Sequence, residues 1–371
     1  MSDSSSWRPT ATNGALRRRA QALRATREFF FARQVLEVET PALINAPVSD
    51  VNLGSVRVQM AGSGSQSDKD AHFLHTSPEY AMKRLLAAGS GDIYQICHVY
   101  RGAERGRHHN PEFTMLEWYR LGFSLEQLMR EVADLTHELL GEQLPVELVT
   151  YREAVLRHAG FDPLDADIGE LQRAAQALGL DAEHAAKAGR DELLDLIVGA
   201  QVGPALGARA LTFLHRYPAS QAALARLDPD DPRVALRFEL YHRGVELANG
   251  YHELTSVAEQ RMRFTADQQS RKSRGLPTFE LDAHLLAALD AGLPDCAGVA
   301  LGFDRVLMLA LNASSIDEVI AFPTERLDQG GVLREEVVTL ERRGLVRGAQ
   351  VRRRRHQIVL NCSKGCRQPS Q

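Results

Sequence analysis

The sequence predicts an α+β protein built on an antiparallel sheet, and three observations carry that expectation. Strand-like runs occupy residues 93–120, a helix-rich stretch follows from Leu125 to Gly199, and strand character returns at Leu211–His215 and Val234–Leu247. Strands that return after a block of helices, rather than alternating with them, favour an antiparallel sheet over a doubly wound parallel one. Asn249-Gly250, within ELANGYHE, adds a hairpin, because Asn-Gly between apolar-rich runs is a strong signal for a two-residue type I′ turn.

The elements follow in order along the chain. Ala15–Gln34 has helical character, and Val35–Glu39 reads as a strand stopped by Pro41. Residues 61–70, AGSGSQSDKD, form a flexible loop before a strand at His72–Thr76. Pro78–Ala88 suits a helix with Pro at its first position. Strands at Ile93–Arg101 and Glu112–Arg120 are joined by a polar loop. Alternation along the second puts Phe113, Met115, Glu117 and Tyr119 on one face and Thr114, Leu116, Trp118 and Arg120 on the other. The stretch from Leu125 is rich in Ala, Leu and charge, with few β-branched runs, and reads as helix. Helices near 256–274 and 282–291, a short strand at Gly298–Leu301 and a helix from Asp304 complete the body. In the expected hairpin Glu246 lies opposite Glu253, and like charges so placed destabilise. The pair either splays into water or meets cations.

Composition narrows the class. A chain of 371 residues makes one large or two ordinary domains, and a net charge of −4 with mixed signs points to neither a nucleic acid nor a membrane surface. The polar N-terminus and the absence of any long apolar run predict a cytoplasmic protein. Among four cysteines there is no C-x-x-C pair, so a cysteine-based zinc site is not expected, and Cys97 and Cys296 read as buried thiols. Residues 330–371 hold ten Lys or Arg against three Asp or Glu. That tail reads as solvated or poorly ordered, with a nucleic-acid contact as the alternative.

The densest chemistry lies in VYRGAERGRHHNPEFTMLEWYR, Val99–Arg120. Arg101, Arg105, Arg107, His108 and His109 supply enough positive charge to hold a polyphosphate, since guanidinium groups match phosphate oxygens bidentately. This segment resembles motif 2 of the class II aminoacyl-tRNA synthetases, and RHHNPEFTMLEWY is similar to the version in the lysyl branch. GVALGFDRVLM, Gly298–Met308, resembles motif 3, and the Pro41 region resembles motif 1. TSPEYAMKRLL, from Thr76, and ELANGYHELT, from Glu246, also match the lysyl branch, so that matched segments span roughly 15–326. Motif 1 begins within about forty residues of Met1, too few for the anticodon-binding barrel of a lysyl-tRNA synthetase. The resemblance is therefore closer to the shortened elongation factor P lysyltransferases.

That resemblance implies a class II synthetase catalytic fold over residues 1–329, with a helical insertion at about 125–205 and the tail at 330–371. It implies ATP and Mg²⁺, a homodimer formed through motif 1, lysine or (R)-β-lysine as substrate, elongation factor P as acceptor, and neither tRNA nor a membrane as partner. Arg101 and Arg305 are the implied catalytic residues, at the α- and γ-phosphate ends. The nucleotide positions are Arg101, Gly102, Ala103, His109, Asn110, Phe113, Glu246, Leu247, Gly302 and Arg305, with Phe113 stacking on adenine, Asn110 ordering the loop, His109 donating to phosphate and Gly302 allowing close approach. Ser77, Pro78, Glu79, Glu117, Tyr119, Glu253 and Ala300 match amino-acid-binding positions, with Glu253 receiving a side-chain ammonium. Glu239 and Glu246 are the implied Mg²⁺ acids. They stand seven residues apart, so a regular strand would turn them to opposite faces unless a bulge near Gly244 intervened. With one acid on metal and the other on ammonium, the facing Glu246 and Glu253 each have a cation.

Two positions depart from the pattern. Motif 2 commonly reads R-x-E, whereas this chain has Arg101-Gly102-Ala103 before Glu104, and Ala300 stands where lysyl-tRNA synthetases have Gly. The added methyl fits a repositioned amino group such as that of (R)-β-lysine. Two rival readings are a tRNA-charging enzyme and a non-catalytic amino-acid-binding paralogue. The second would be marked by loss of Arg101, Arg305 or the acids, all of which are present.

Overall fold

The computed structural model describes residues 7–59, 71–102, 104–324 and 358–359. The expected loop at 61–70, Ala103 and the tail other than Ile358–Val359 lie outside the described residues. The first part of the chain gives α1 (Asn13–Ala32), β1 (Leu36–Glu37), β2 (Leu43–Ile44), β3 (Val56–Gln59), β4 (His72–Leu74), α2 (Glu79–Ala87), β5 (Ile93–Tyr100) and β6 (Glu112–Leu121). The middle gives α3 (Leu125–Leu140), β7 (Val146–Thr150), α4 (Tyr151–Ala159), α5 (Ile168–Ala177), α6 (Ala182–Lys187) and α7 (Arg190–Ile197). Then come β8 (Leu211–Pro218), β9 (Val234–His242), β10 (Val245–His252), α8 (Val257–Ser273), α9 (Ala283–Gly292), β11 (Cys296–Gly302), α10 (Phe303–Ala310) and β12 (Ile358–Val359).

Eight strands form the main sheet in the order β1-β5-β6-β11-β10-β9-β8-β7. Its six inner strands are mutually antiparallel, as expected, but a parallel strand lies at each edge: β1 on β5 and β7 on β8. The small strands β2, β3, β4 and β12 make a second sheet, of which the sequence suggested only β4. One face of the main sheet is packed by α1, α3 and α10, burying Phe30, Trp118, Leu128, Phe238 and Phe303. Capping makes α3 definite: Ser124 and Gln127 form a capping box at its start, and Gly141 closes it in the left-handed conformation. The helical block is divided. Whereas α3 belongs to the main core, Tyr151, Leu171, Leu194 and Tyr217 build a separate cluster around β7 and α4 to α7.

The hairpin is displaced from its expected place. Asn249 and Gly250 lie inside β10, and the turn is made by Arg243 and Gly244, both with positive φ (51° and 72°), as a type I′ turn requires. Glycine is needed at 250 because a Cβ there would stand 2.4 Å from the Phe238 ring. Glu246 consequently pairs with Tyr241 rather than facing Glu253. The bulge expected near Gly244 is absent: the two-residue turn lies there instead and, by setting Glu246 opposite Tyr241, already puts it on the face of Glu239, while a bulge sits beyond both acids at Leu247, where two residues of β10 pass one step of β9. Leu247 and Ala248 both enter the core, at 1% and 2% exposure, and the extra residue puts Asn249 and Tyr251 on the face that already carries Glu246, Arg237, Glu239 and Tyr241. Pro78 likewise precedes the helix as its N-cap instead of opening it. Among the described residues no helix is long and apolar enough to cross a membrane.

Candidate active site

The face of the main sheet away from the α1–α3 core forms the floor of a cleft of about 820 Å³. Its floor is clear of large side chains where β11 presents Gly298, Ala300 and Gly302 between β6 and β10. Ala300 sits between Glu117 on one side and Asn249 on the other. A Cβ at Gly298 would lie 2.3 Å from the Tyr119 ring and 2.6 Å from Glu253 Oε1, so glycine alone lets those two side chains approach the floor. The expected alternation along β6 holds, with Phe113, Met115, Glu117 and Tyr119 all turned into the cleft.

One end is acidic. Ser77 Oγ and Tyr119 Oη each donate to the Glu117 carboxylate at 2.7 Å, and the Ser77 hydroxyl accepts from the backbone of Glu79. Burial, and then the charge of Glu79, push the Glu117 carboxyl up to about 8 despite those two hydrogen bonds. Glu253 is also buried, which raises its carboxyl, but it is already paired: Lys83 Nζ lies 2.6 Å from its Oε2 and 2.7 Å from Glu79 Oε1. Burial alone would lower the Lys83 ammonium, and the attraction of Glu253 and Glu79 outweighs it. Part of the Glu253 charge expected for a substrate ammonium thus faces an internal one.

The other end is cationic. Arg305, in the first turn of α10, donates from Nε to the His108 carbonyl and from Nη1 to the Glu246 carbonyl, tying the basic loop to β10. Its third contact engages His109, whose Nε2 accepts from Arg305, which leaves the proton of the neutral ring on Nδ1. Burial and then Arg305 hold that imidazole down at about 3. The Arg101 guanidinium lies 5.2 Å over the Phe113 ring and 3.7 Å from Glu104, and its Nε is buried without a hydrogen-bond partner. Asn110 orders the loop through both ends of its amide, donating to the Glu112 carbonyl and accepting from Thr324 N. Gly302 has φ −73°, and a Cβ added there would meet nothing nearer than Arg305 Cδ at 3.5 Å, so neither backbone nor neighbours demand glycine at this position.

Two acids stand between the ends. Glu246 keeps 40% of its side chain open to solvent and lies 3.5 Å from Arg305, whereas Glu239 is held by Arg237 Nη2 at 2.6 Å and Tyr241 Oη at 2.7 Å. Enclosure, and then Glu239, raise the Glu246 carboxyl. Among the described residues no three His, Cys, Asp or Glu side chains gather into a metal cluster. A Mg²⁺ held by one or two carboxylates together with phosphate oxygens needs no such cluster; Glu246, open to the cleft, fits that role, whereas Glu239 does not line the cleft and has both oxygens taken by Arg237 and Tyr241. Glu239, Pro78 and Gly102 do not line the cleft, although the other described site residues do. Lys83, Arg237 and Gly298 were missed as site residues, even though the spacing of Glu79 and Lys83 in TSPEYAMKRLL marks a helical i,i+4 pair.

An antiparallel sheet carrying an acid pocket and an arginine pair on one face defines the class. The sequence pattern of the class II tRNA synthetases (D, K and N) matches residues 5–326, and the chain belongs to that family. Within it, the chain is 49% identical over 326 residues to the elongation factor P–(R)-β-lysine ligases of Klebsiella pneumoniae and Erwinia tasmaniensis, covering 88% of this chain and all of each relative. The ligase of the same name from Salmonella typhi is 48% identical over the same span.

Proposed function

We propose that this protein activates a lysine-type amino acid, (R)-β-lysine in first place, with ATP and Mg²⁺ and transfers it to a lysine side chain of elongation factor P in the cytoplasm. The observation that carries the reading is the two-ended cleft, acids at one end and Arg101 with Arg305 at the other, in a chain alignable along the whole length of ligases bearing that name. The acid end would anchor the substrate's ammonium groups and aim its carboxylate along the floor towards Arg101. A carboxylate oxygen attacks the α-phosphorus, the bond to pyrophosphate breaks, and the two arginines stabilise the charge that develops. The acceptor lysine's neutral amine then attacks the carbonyl carbon, and AMP departs. Glu246 would hold Mg²⁺, which when bound offsets phosphate charge, with the charge of Glu239 beside it adding to the pull on the cation. Phe113 would stack on adenine, and the open space at Gly302 suits close nucleotide approach. A homodimer would cover Phe31 and Leu36 beside motif 1, which are 84% and 54% exposed.

Amino-acid-dependent ATP/pyrophosphate exchange tests the first half, and transfer of radiolabel to elongation factor P or to tRNA tests the second. Exchange with (R)-β-lysine, lowered by Arg305→Ala about 10²- to 10³-fold, and label on the protein acceptor are the expected results. Folded protein without exchange on any lysine isomer would refute the enzymatic reading, and label on tRNA would reassign the acceptor.

A further inference from the structure

Lys83 is 2% exposed, does not line the cleft, and still decides how two of its acids are held. It projects from α2 with its ammonium between Glu79, one helical turn back, and Glu253, which follows β10. Glu253 is 1% exposed and fixed from other sides too: its backbone N–H donates to the Cys296 carbonyl and its own carbonyl accepts from Arg226 Nε. Among the described residues, Tyr80, Glu117, Tyr119, Arg226, Tyr251 and Cys296 are the further titratable or charged groups that face this cluster.

Counting groups shows what such an arrangement selects. Glu79, Glu117 and Glu253 contribute three carboxyl groups, and Lys83 offsets one, so two remain for cations that enter through the cleft. An amino acid with one ammonium would leave one carboxyl protonated and without an ion-pair partner, whereas one with two ammonium groups pairs both, so the difference is the charged hydrogen bond that the first ligand forgoes. Lys83 also spans two elements, α2 and the segment after β10, so the spacing of two acids depends on its reach. We propose that Lys83 is a positioning residue for this site, its buried ammonium fixing Glu79 and Glu253 and setting the cluster's charge so that it takes an amino acid carrying a second, distal ammonium group. The inference rests on the lysine-activating reading above.

The test measures ATP/pyrophosphate exchange by the full chain with (R)-β-lysine and with (R)-3-aminohexanoate, which lacks the distal ammonium, across the pH range from mildly acidic to alkaline. Wild-type protein inactive with (R)-β-lysine refutes the functional reading and leaves nothing for Lys83 to position. With an active wild type, Lys83→Met is expected to raise the KM for (R)-β-lysine about 10- to 100-fold near neutral pH, to erode the preference over (R)-3-aminohexanoate by a similar factor, and to leave kcat little changed. Both losses should recede at alkaline pH, because Glu253 without its internal cation ionises only there. Lys83→Arg keeps the charge but alters the reach, so the wild-type pH profile should persist while KM rises. A folded Lys83→Met protein with unchanged preference and pH profile overturns the proposal. Should that variant not fold, Lys83→Arg decides: wild-type KM and preference in it overturn the positioning role, and a raised KM on an unmoved pH profile supports it.

Discussion

Gly298 shows how much a single missing side chain can organise. Tyr119 and Glu253 both occupy the volume that a Cβ would need, at 2.3 Å and 2.6 Å, so one glycine sets the depth of the acidic end. Gly298→Ala is expected to destabilise the protein by about 1–3 kcal/mol through overpacking and to raise the amino-acid KM, as read by thermal denaturation and exchange kinetics. Gly302→Ala is the comparison: its nearest contact is an ordinary 3.5 Å, so stability should stay within about 0.5 kcal/mol of wild type. At this scale the sequence was informative where residue type announces chemistry. Arg101, Glu117, Tyr119 and Arg305 converge on one cleft. It was silent where chemistry depends on meeting across the fold, since nothing local to Lys83 reveals that Glu253 will stand 2.6 Å away. It was equally silent on the surroundings of His109, whose Nε2 meets Arg305 from far along the chain and whose imidazole is held low first by burial and then by that arginine.

Among the elements, β9 and β10 carry the clearest lesson. The Asn-Gly rule is local, and at Asn249-Gly250 it is overridden by packing: Gly250 clears the Phe238 ring in the middle of a strand. The actual turn uses Arg243, a residue that gains nothing from positive φ. Arg243→Asn should therefore stabilise the hairpin by about 0.5–1 kcal/mol, less the loss of its exposed hydrogen bond to Asn312, in a denaturant titration. A lower midpoint would show that the bond to Asn312 outweighs turn strain. The seven-residue spacing of Glu239 and Glu246 pointed to a bulge only because both were read on one strand; the turn between them removes the need for it, and the bulge at Leu247 has no local signal, because it rests on which residues the core accepts. Long helices such as α1 and α8 were legible to within a few residues, and β1 was read within a longer strand at Val35–Glu39, whereas the two-residue β2, paired by a distant partner, had no pattern to read.

Over the whole molecule, titration is governed by the acids that the cleft holds out of water. Burial pushes Glu117 up to about 8, and Glu253 and Asp195 to about 7. Such groups bind protons more readily in the folded than in the unfolded chain, so stability falls as pH climbs from the ordinary carboxylate range towards the raised values. Buried His75 and the half-buried His108 and His109, held low chiefly by desolvation, act in the opposite sense, but only below the ordinary histidine range. The two effects separate near neutrality. Between about pH 7 and about pH 8 the melting temperature of the protein alone should decline, and added (R)-β-lysine should raise it more at the upper pH, where its ammonium groups meet ionised partners. A melting temperature that rises over this interval would place the acids' charge elsewhere. A different consequence follows from the position of β11. Two half-sheets, β1-β5-β6 and β10-β9-β8-β7, are each written by earlier stretches of chain, yet the strand that joins them is the last of the eight to be synthesised. Both halves wait with an unpaired inner edge until residues 296–302 arrive between them. Closure of the sheet is thus a late, long-range event in folding, and the floor of the cleft is laid by the same strand that completes it.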